Sequence, residues 1–241
     1  MMFFHALLFD LNGTLVDIYR VSEYRQHLDA MADVLGLKHD KFRDAWSRSF
    51  TAWPHGDYPS LQVRFELALG YCLDTSEYPS REAIAEAIRI RVDYITTQQG
   101  KVKEGVPEAL DWAVGQGYKL GLISNCSLET SEYWETIALS RWFPEPTLSC
   151  IVKLNKPDAA IFLYATERLG VEPERCIYIA DGDDHEFDTA TALGMEVLLV
   201  RYDTTDTYRN EPIQPETRYA IDHFNEFQAT IERIEADHDG N

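Results

Sequence analysis

Residues 4–17 read FHALLFDLNGTLVD. Five apolar side chains and a histidine run without polar alternation into Asp10, and a turn-forming Asn-Gly-Thr follows. A short continuous apolar run of this kind suits a strand covered on both faces, as parallel strands in α/β proteins are. Three more stretches repeat the pattern: YKLGLISN at 118–125, LSCIVKLNKP at 148–157 and CIYIADGDDHE at 176–186. Each is apolar, and each ends on polar or charged residues. A further apolar run, MEVLLV at 195–200, and a short one near 218–221 extend the set.

Between these runs the periodicity changes to that of helices. PEALDWAVGQG places Pro107 in a first turn and Gly115 or Gly117 at the end, and further helices are expected at 127–139, 157–169, 186–193 and 224–235. Strands alternating with helices imply a doubly wound parallel sheet. The alternation is interrupted once, directly after the first strand. There YRQHLDAMADVLGL, KFRDAWSRSF, LQVRFELALGYCL and REAIAEAIRIRVDYI all carry 3.6-residue periodicity, with a Pro- and Gly-bearing loop at 53–60. The fold expected is therefore α/β, a Rossmann-like core of residues 1–16 and 98–241 with an inserted α-helical cap at 17–97.

The chain has 241 residues, 22 Lys plus Arg against 41 Asp plus Glu, and a net charge of −19. Nucleic-acid surfaces need basic stripes, and anionic membranes attract basic segments, so neither is expected as a partner. No apolar run reaches the length of a membrane span, and the N-terminus lacks the basic region and cleavage site of a leader. Four scattered cysteines without a close pair do not form a zinc site. A cytoplasmic location is the expectation; the sequence does not define an oligomeric state.

In open α/β sheets, ligands bind at the carboxyl ends of the strands. Here those ends deliver Asp10-Leu11-Asn12-Gly13-Thr14, Ser124-Asn125, Lys156 and the acidic run from Asp181 to Glu186. Crowded carboxylates call for a cation, and all-oxygen donors suit Mg²⁺, which bridges readily to phosphate. A lysine and a hydroxyl can hold phosphate oxygens, and an Asp can accept a phosphoryl group covalently. Each piece alone is more simply a turn, a helix cap or a solvated loop. Together, in this order, they point to phosphoryl chemistry. An EF-hand loop from Asp181 fails because its sixth and twelfth positions are Glu186 and Ala192, and no GxxxxGK[ST] or GxGxxG loop is present.

The four segments FDLNGTLVD, LISNCS, KPDAAIF and IADGDDHEFDTATALGM resemble, in order, the motifs of the haloacid dehalogenase superfamily, in the subgroup with a helical cap after the first strand. The resemblance implies Asp10 as nucleophile and metal ligand, Ser124 as the hydroxyl on the transferring group, and Lys156 as its positive partner. It implies Mg²⁺ on Asp10, Asn12, Asp181 and Glu186, with Asp183 and Asp184 as further acids near the metal, and phosphate contacts from Gly13, Thr14, Ser124, Asn125 and Lys156. The expected activity is hydrolysis of a small phosphorylated metabolite.

One position departs from the phosphatase pattern. Where those enzymes carry a second Asp as general acid and base, this chain has Asn12. Asn keeps the backbone carbonyl but cannot shuttle a proton, a function typically worth ~10²–10⁴ in rate. Substrates with good leaving groups, a substitute such as His185 or Asp184, or a weak, phosphate-binding protein would each fit. A 2-haloacid dehalogenase also lacks that acid, yet dehalogenases lack the leading Asp of the last motif, which Asp181 supplies. A phosphonatase would need a Schiff-base lysine from the cap, where only Lys38 and Lys41 occur. A response-regulator receiver would place its lysine after the acidic cluster, not before. Substrate contacts are expected from the cap, with Arg43, Arg48, Trp53, His55 and Tyr58 as candidates.

Overall fold

The computed structural model describes residues 2–17, 19–73, 78–201, 205–206 and 217–239; the side chain of Asp184 lies outside the described residues. Six parallel strands form one sheet in the order β3-β2-β1-β4-β5-β6. They are β1 (Ala6–Phe9), β2 (Lys119–Ser124), β3 (Thr147–Leu148), β4 (Cys176–Ala180), β5 (Glu196–Val200) and β6 (Ala220–Ile221). The chain crosses from β1 outward to β2 and β3, then returns past β1 to β4. That reversal puts the carboxyl ends of β1 and β4 side by side at the switch point, where doubly wound folds bind ligands.

The unbroken apolar character of β1 follows from its central place. Leu7 and Phe9 pack into one core cluster with Leu110, Phe143, Phe227 and Ile231, while Ala6 and Leu8 pack into another with Ile161, Phe162 and Tyr178. Successive side chains point to opposite faces, so a strand covered on both faces has no position for a polar residue until it ends. The first cluster lies under α5 (Val106–Gln116) and α10 (Phe227–Asp239), the second under α8 (Ala159–Leu169) and α9 (Glu186–Ala192).

Four helices stand between β1 and α5: α1 (Val21–Leu35), α2 (His39–Phe50), α3 (Leu61–Cys72) and α4 (Arg81–Gln99). They enclose a third cluster of their own, including Met31, Phe42, Trp46, Phe65 and Leu69. Ser60 and Ser80 cap α3 and α4, each accepting a backbone N–H from the first turn at 3.2 Å. The four helices run from Val21 to Gln99.

Three sequence readings need correction. The run 148–152 is not one strand: β3 ends at Leu148 and α7 (Ser149–Val152) takes over. Lys153 adopts φ 58° and its N–H closes on Ser149 O at 2.8 Å, while the Ser149 hydroxyl accepts the Cys126 N–H at 2.9 Å. A short apolar run looks alike as strand or helix, and here side-chain capture of the turn decides. The helix expected at 127–139 stops after α6 (Leu128–Tyr133) and continues as two 3₁₀ turns, with Trp134 buried and its indole N–H bonded to Phe143 O at 2.9 Å. The helix expected from Pro157 starts two residues later, capped by Asp158, whose carboxylate accepts the Ala160 N–H at 3.0 Å.

Candidate active site

The site is assembled from the loops that leave β1, β2 and β4 and from the loop entering α8. Asp10 follows β1 directly, and its N–H bonds Ile179 O of β4 at 3.0 Å, which fixes it at the switch point. Its two carboxylate oxygens are both engaged: Oδ1 accepts from Lys156 Nζ at 2.5 Å and Oδ2 from Thr14 Oγ1 at 3.0 Å. Gly13 adopts φ 83°, and a β-carbon there would stand 2.1 Å from Asp181 Oδ2. The absence of a side chain is what lets the β1 loop lie against the acid at the end of β4.

Lys156 sits between two carboxylates, with Nζ also 2.7 Å from Glu186 Oε2. Asp10, Lys156, Asp181 and Glu186 are 5%, 7%, 1% and 1% exposed, so these charges meet almost free of water. Burial works against the ammonium, but Asp10 and Glu186 outweigh it and hold Lys156 well above the ordinary lysine range. Burial raises the Glu186 carboxyl, and Lys156 opposes that rise. Glu186 is fully committed: Oε2 also accepts from Tyr178 OH at 2.7 Å, and Oε1 from the Gly182 N–H at 3.2 Å. Asn125 holds the lysine loop from the other side, its amide paired with the Lys156 backbone at 2.8 and 2.9 Å.

At these strand ends two side-chain atoms, Ser124 Oγ and Asn12 Oδ1, are buried without a partner among the described residues. Buried polar atoms left unsatisfied are rare and costly, and at a strand-end site they mark where a ligand supplies the missing bond. The structure therefore brings Asp10, Gly13, Thr14, Lys156, Asp181 and Glu186 into one contact set, with Ser124 and Asn125 at the end of the neighbouring strand. Asp183 lies at the rim, its N–H bonded to Asp181 Oδ1 at 3.2 Å. His185 is exposed and faces Asp188 at 3.4 Å.

Two members were not read from the sequence. Tyr178 looked like an ordinary core residue of β4, yet its hydroxyl lies 3.1 Å from Lys156 Nζ as well as bonding Glu186. Its only sequence signal is a hydroxyl in an otherwise apolar strand. Lys103, in the segment that returns from the helical block, donates to Gly13 O. Burial lowers its pKa, and Asp181, Asp17 and Asp10 pull the other way. No motif marks it; only topology brings it there.

A cavity of about 1130 Å³ opens between these loops and the helical block. Its core-side wall includes Asn12, Asn125, Cys126 and Ser149; its helical wall includes Arg43, Trp46, His55, Arg64 and Arg91. The loop at 53–60 closes one side: Leu128 N–H bonds Gly56 O at 3.0 Å, Ser149 Oγ meets His55 O at 3.1 Å and Asn155 Nδ2 bonds Pro54 O at 2.9 Å. Of the substrate contacts expected from the sequence, Arg43 and His55 line the cavity. Arg48 is exposed over Tyr71, and Trp53 and Tyr58 pack on each other.

A family model for haloacid dehalogenase-like hydrolases matches residues 4–194. The chain belongs to the haloacid dehalogenase-like hydrolases. Among its relatives, this hydrolase is 33% identical over 98 residues to a glyceraldehyde 3-phosphate phosphatase of Methanothermobacter thermautotrophicus, a match covering 39% of this chain and 42% of that protein. It is 25% identical over 177 residues to hexitol phosphatase B of Escherichia coli, covering 73% and 74% of the two chains. A HAD phosphatase structure from Thermococcus onnurineus superimposes with TM-score 0.63 at 23% identity, covering 93% of this chain and 96% of the other. A 2-haloacid dehalogenase structure from Pseudomonas syringae gives 0.65 at 17%, covering 96% and 99%. The structural likenesses show a shared fold, and phosphatases and dehalogenases both have it. No helix among the described residues is long and apolar enough to cross a membrane.

Proposed function

We propose that this hydrolase is a phosphatase for a small phosphorylated metabolite, acting through a phosphoryl-aspartate on Asp10. The observation that carries the reading is the buried Asp10–Lys156–Glu186 array beside the unpartnered Ser124 hydroxyl. An Asp10 oxygen attacks phosphorus as the bond to the leaving oxygen breaks. Water then attacks phosphorus and returns the Asp10 carboxylate with release of phosphate. Lys156 offsets negative charge on the nucleophile and on the group in transfer, and Ser124 donates to a phosphoryl oxygen. Glu186 and Tyr178 hold the lysine in place.

Mg²⁺ fits the donor set in a reduced form. No group of three or more His, Cys, Asp or Glu side chains among the described residues is placed to hold a metal. Two carboxylates, Asp10 and Asp181, and the Asn12 carbonyl remain, which suits an ion that keeps waters and takes substrate phosphate oxygens. Glu186, read with them as a ligand, also accepts hydrogen bonds from Lys156, Tyr178 and Gly182. When bound, Mg²⁺ would neutralise charge on the phosphoryl group. On this reading the helical block 17–97 is a cap that closes the cavity, and the four free cysteines accord with a cytoplasmic enzyme.

Asn12 cannot protonate a leaving alkoxide, so acyl phosphates should be turned over faster than alkyl esters. Incubation with acetyl phosphate and p-nitrophenyl phosphate, with and without Mg²⁺, tests the reading. Metal-dependent phosphate release lost in Asp10→Asn is expected. Chloride release from 2-chloropropionate with no turnover of either phosphate would overturn it in favour of the dehalogenase reading, which the missing acid at Asn12 supports.

A further inference from the structure

Arg64 of α3 is 3% exposed and carries a full positive charge into the wall of the cavity. Buried guanidinium groups are ordinarily paired with carboxylates, because an unpaired charge out of water is expensive. Arg64 has no carboxylate partner among the described residues. Its Nε–H reaches Ser49 Oγ at 3.3 Å, and its guanidinium lies 4.0 Å over the Trp46 ring. Neither contact uses the two terminal nitrogens, the fork that matches a carboxylate or phosphate. Across the same wall stands Arg91 of α4, 4% exposed. Its Nε–H bonds Glu129 Oε1 at 2.7 Å, while its Nη1 is buried and bonded to nothing described.

The charge of the wall runs against that of the chain. Arg25, Arg43, Arg64 and Arg91 line the cavity with one carboxylate, Asp40, in a protein of net charge −19. Arg43 is paired with Asp29 at 3.3 Å, and Glu129 takes one edge of Arg91. Arg64 is left for something that enters. Burial, with the like charge of Arg91 added, lowers Arg64 to about 9, which still leaves it cationic at neutral pH. The opposite wall of the cavity is formed by Asn12 and Asn125, the loops of the Asp10–Lys156 site.

We infer that Arg64, assisted by the free edge of Arg91, is a subsite for a second oxyanion on the substrate. The substrate class is then a phosphomonoester whose far end carries a carboxylate or another phosphate. This deepens the phosphatase reading and rests on it for the substrate's reacting end. The far-end contact fixes the molecule's direction in the cavity, a use of binding energy remote from the reacting bond.

The test separates the two readings. Phosphate release would be measured from phosphoglycolate, fructose 1,6-bisphosphate and the neutral-tailed glycerol 1-phosphate, with wild type, Arg64→Met and Arg64→Lys, each checked for folding by circular dichroism. Wild type should prefer an anionic tail in kcat/KM by about 10–100-fold, the size of a charge-assisted hydrogen-bonded contact. Arg64→Met should bring the ratio near one, with Arg64→Lys in between; the better of the two anionic probes tells carboxylate from phosphate. Separately, calorimetry with malonate and with pyrophosphate reads the subsite without turnover: at least one should bind wild type and lose about tenfold or more in Arg64→Met. A ratio unchanged in both variants, or neither anion binding wild type, overturns the subsite. Absence of turnover with every phosphate, while Arg64-dependent anion binding persists, overturns the phosphatase reading and leaves the oxyanion subsite standing.

Discussion

Replacing Lys156 with Met tests the electrostatic centre of the site. The ammonium lies 2.5 Å from Asp10 Oδ1 and 2.7 Å from Glu186 Oε2, and all three side chains are almost dry. Met keeps the volume and removes the charge, leaving two buried carboxylates facing one another. Breaking a buried pair from one side typically costs ~3–5 kcal/mol, a large part of the ~5–15 kcal/mol that holds a domain folded. The loss should depend on pH with a definite sign. Burial already raises Glu186, and Lys156, helped by the Tyr178 hydroxyl, opposes it. Without the lysine its folded pKa rises further above the unfolded value of about 4.3. A carboxyl whose pKa is raised by folding favours the fold at low pH, and that help is lost as pH climbs through the folded value. The variant should therefore fall furthest behind wild type at pH 8 and recover part of the gap at pH 5. Urea unfolding followed by tryptophan fluorescence at the two pH values measures this. Lys101→Met supplies the contrast, because its pair with Glu23 at 3.2 Å is exposed and worth ~0–1 kcal/mol. A gap that is the same at both pH values, or one below about 1 kcal/mol, would refute the reasoning.

Asn12→Asp should restore a proton donor and raise kcat on alkyl phosphates by ~10²–10⁴ while changing acetyl phosphate far less, as steady-state rates on the two substrates would show. Gly13→Ala places a methyl group against Asp181 Oδ2 at a φ of 83°; an alanine in that region alone costs ~1–2 kcal/mol, and both the melting temperature and phosphate release should drop. His27 stacks on Tyr94 at 4.1 Å, and burial, aided by Arg91, lowers its pKa to about 3. The unfolded chain takes up a proton below about 6.5 that the folded ring refuses, so stability falls on acidification through that window. His27→Phe should remove about 2 kcal/mol of the loss between pH 7 and pH 5 in urea titrations. Ser60→Ala should cost about 1 kcal/mol through the lost cap of α3, read by thermal melting.

The sheet and the main site were legible because both rest on local sequence. A parallel strand covered on two faces must be apolar throughout, so Ala6–Phe9 and Cys176–Ala180 announce themselves, and the residue that ends each run lands at the ligand edge. Asp10, Lys156, Asp181 and Glu186 were found that way, and they meet. What stayed hidden depends on contacts distant in sequence. Glu186 was read from its spacing in the acidic run, but its contacts with Lys156 and Tyr178 come from across the fold. Lys103 reaches Gly13 only because α4 returns the chain to β1. Arg64 sits in a helix whose apolar pattern says nothing of its burial, and of the candidates chosen around 43–58 only Arg43 and His55 line the cavity. The failure at 148–152 is of the same kind, since a serine captured by Cys126 turned a strand into a helix.

The way the helical block joins the sheet has a consequence for ancestry and for engineering. The outgoing and returning segments run past each other at Val16 and Val102, tied by Asp17 N–H to Lys101 O at 3.2 Å and Lys103 N–H to Leu15 O at 3.0 Å. The two ends of a long insertion are thus already adjacent, so the parent sheet loses little chain entropy by carrying it, and a loop of a few residues could bridge the gap in its place. Lys103 lies on that junction and bonds the Gly13 carbonyl. Any exchange of one helical module for another that keeps residues 101–103 would keep this lysine beside Gly13.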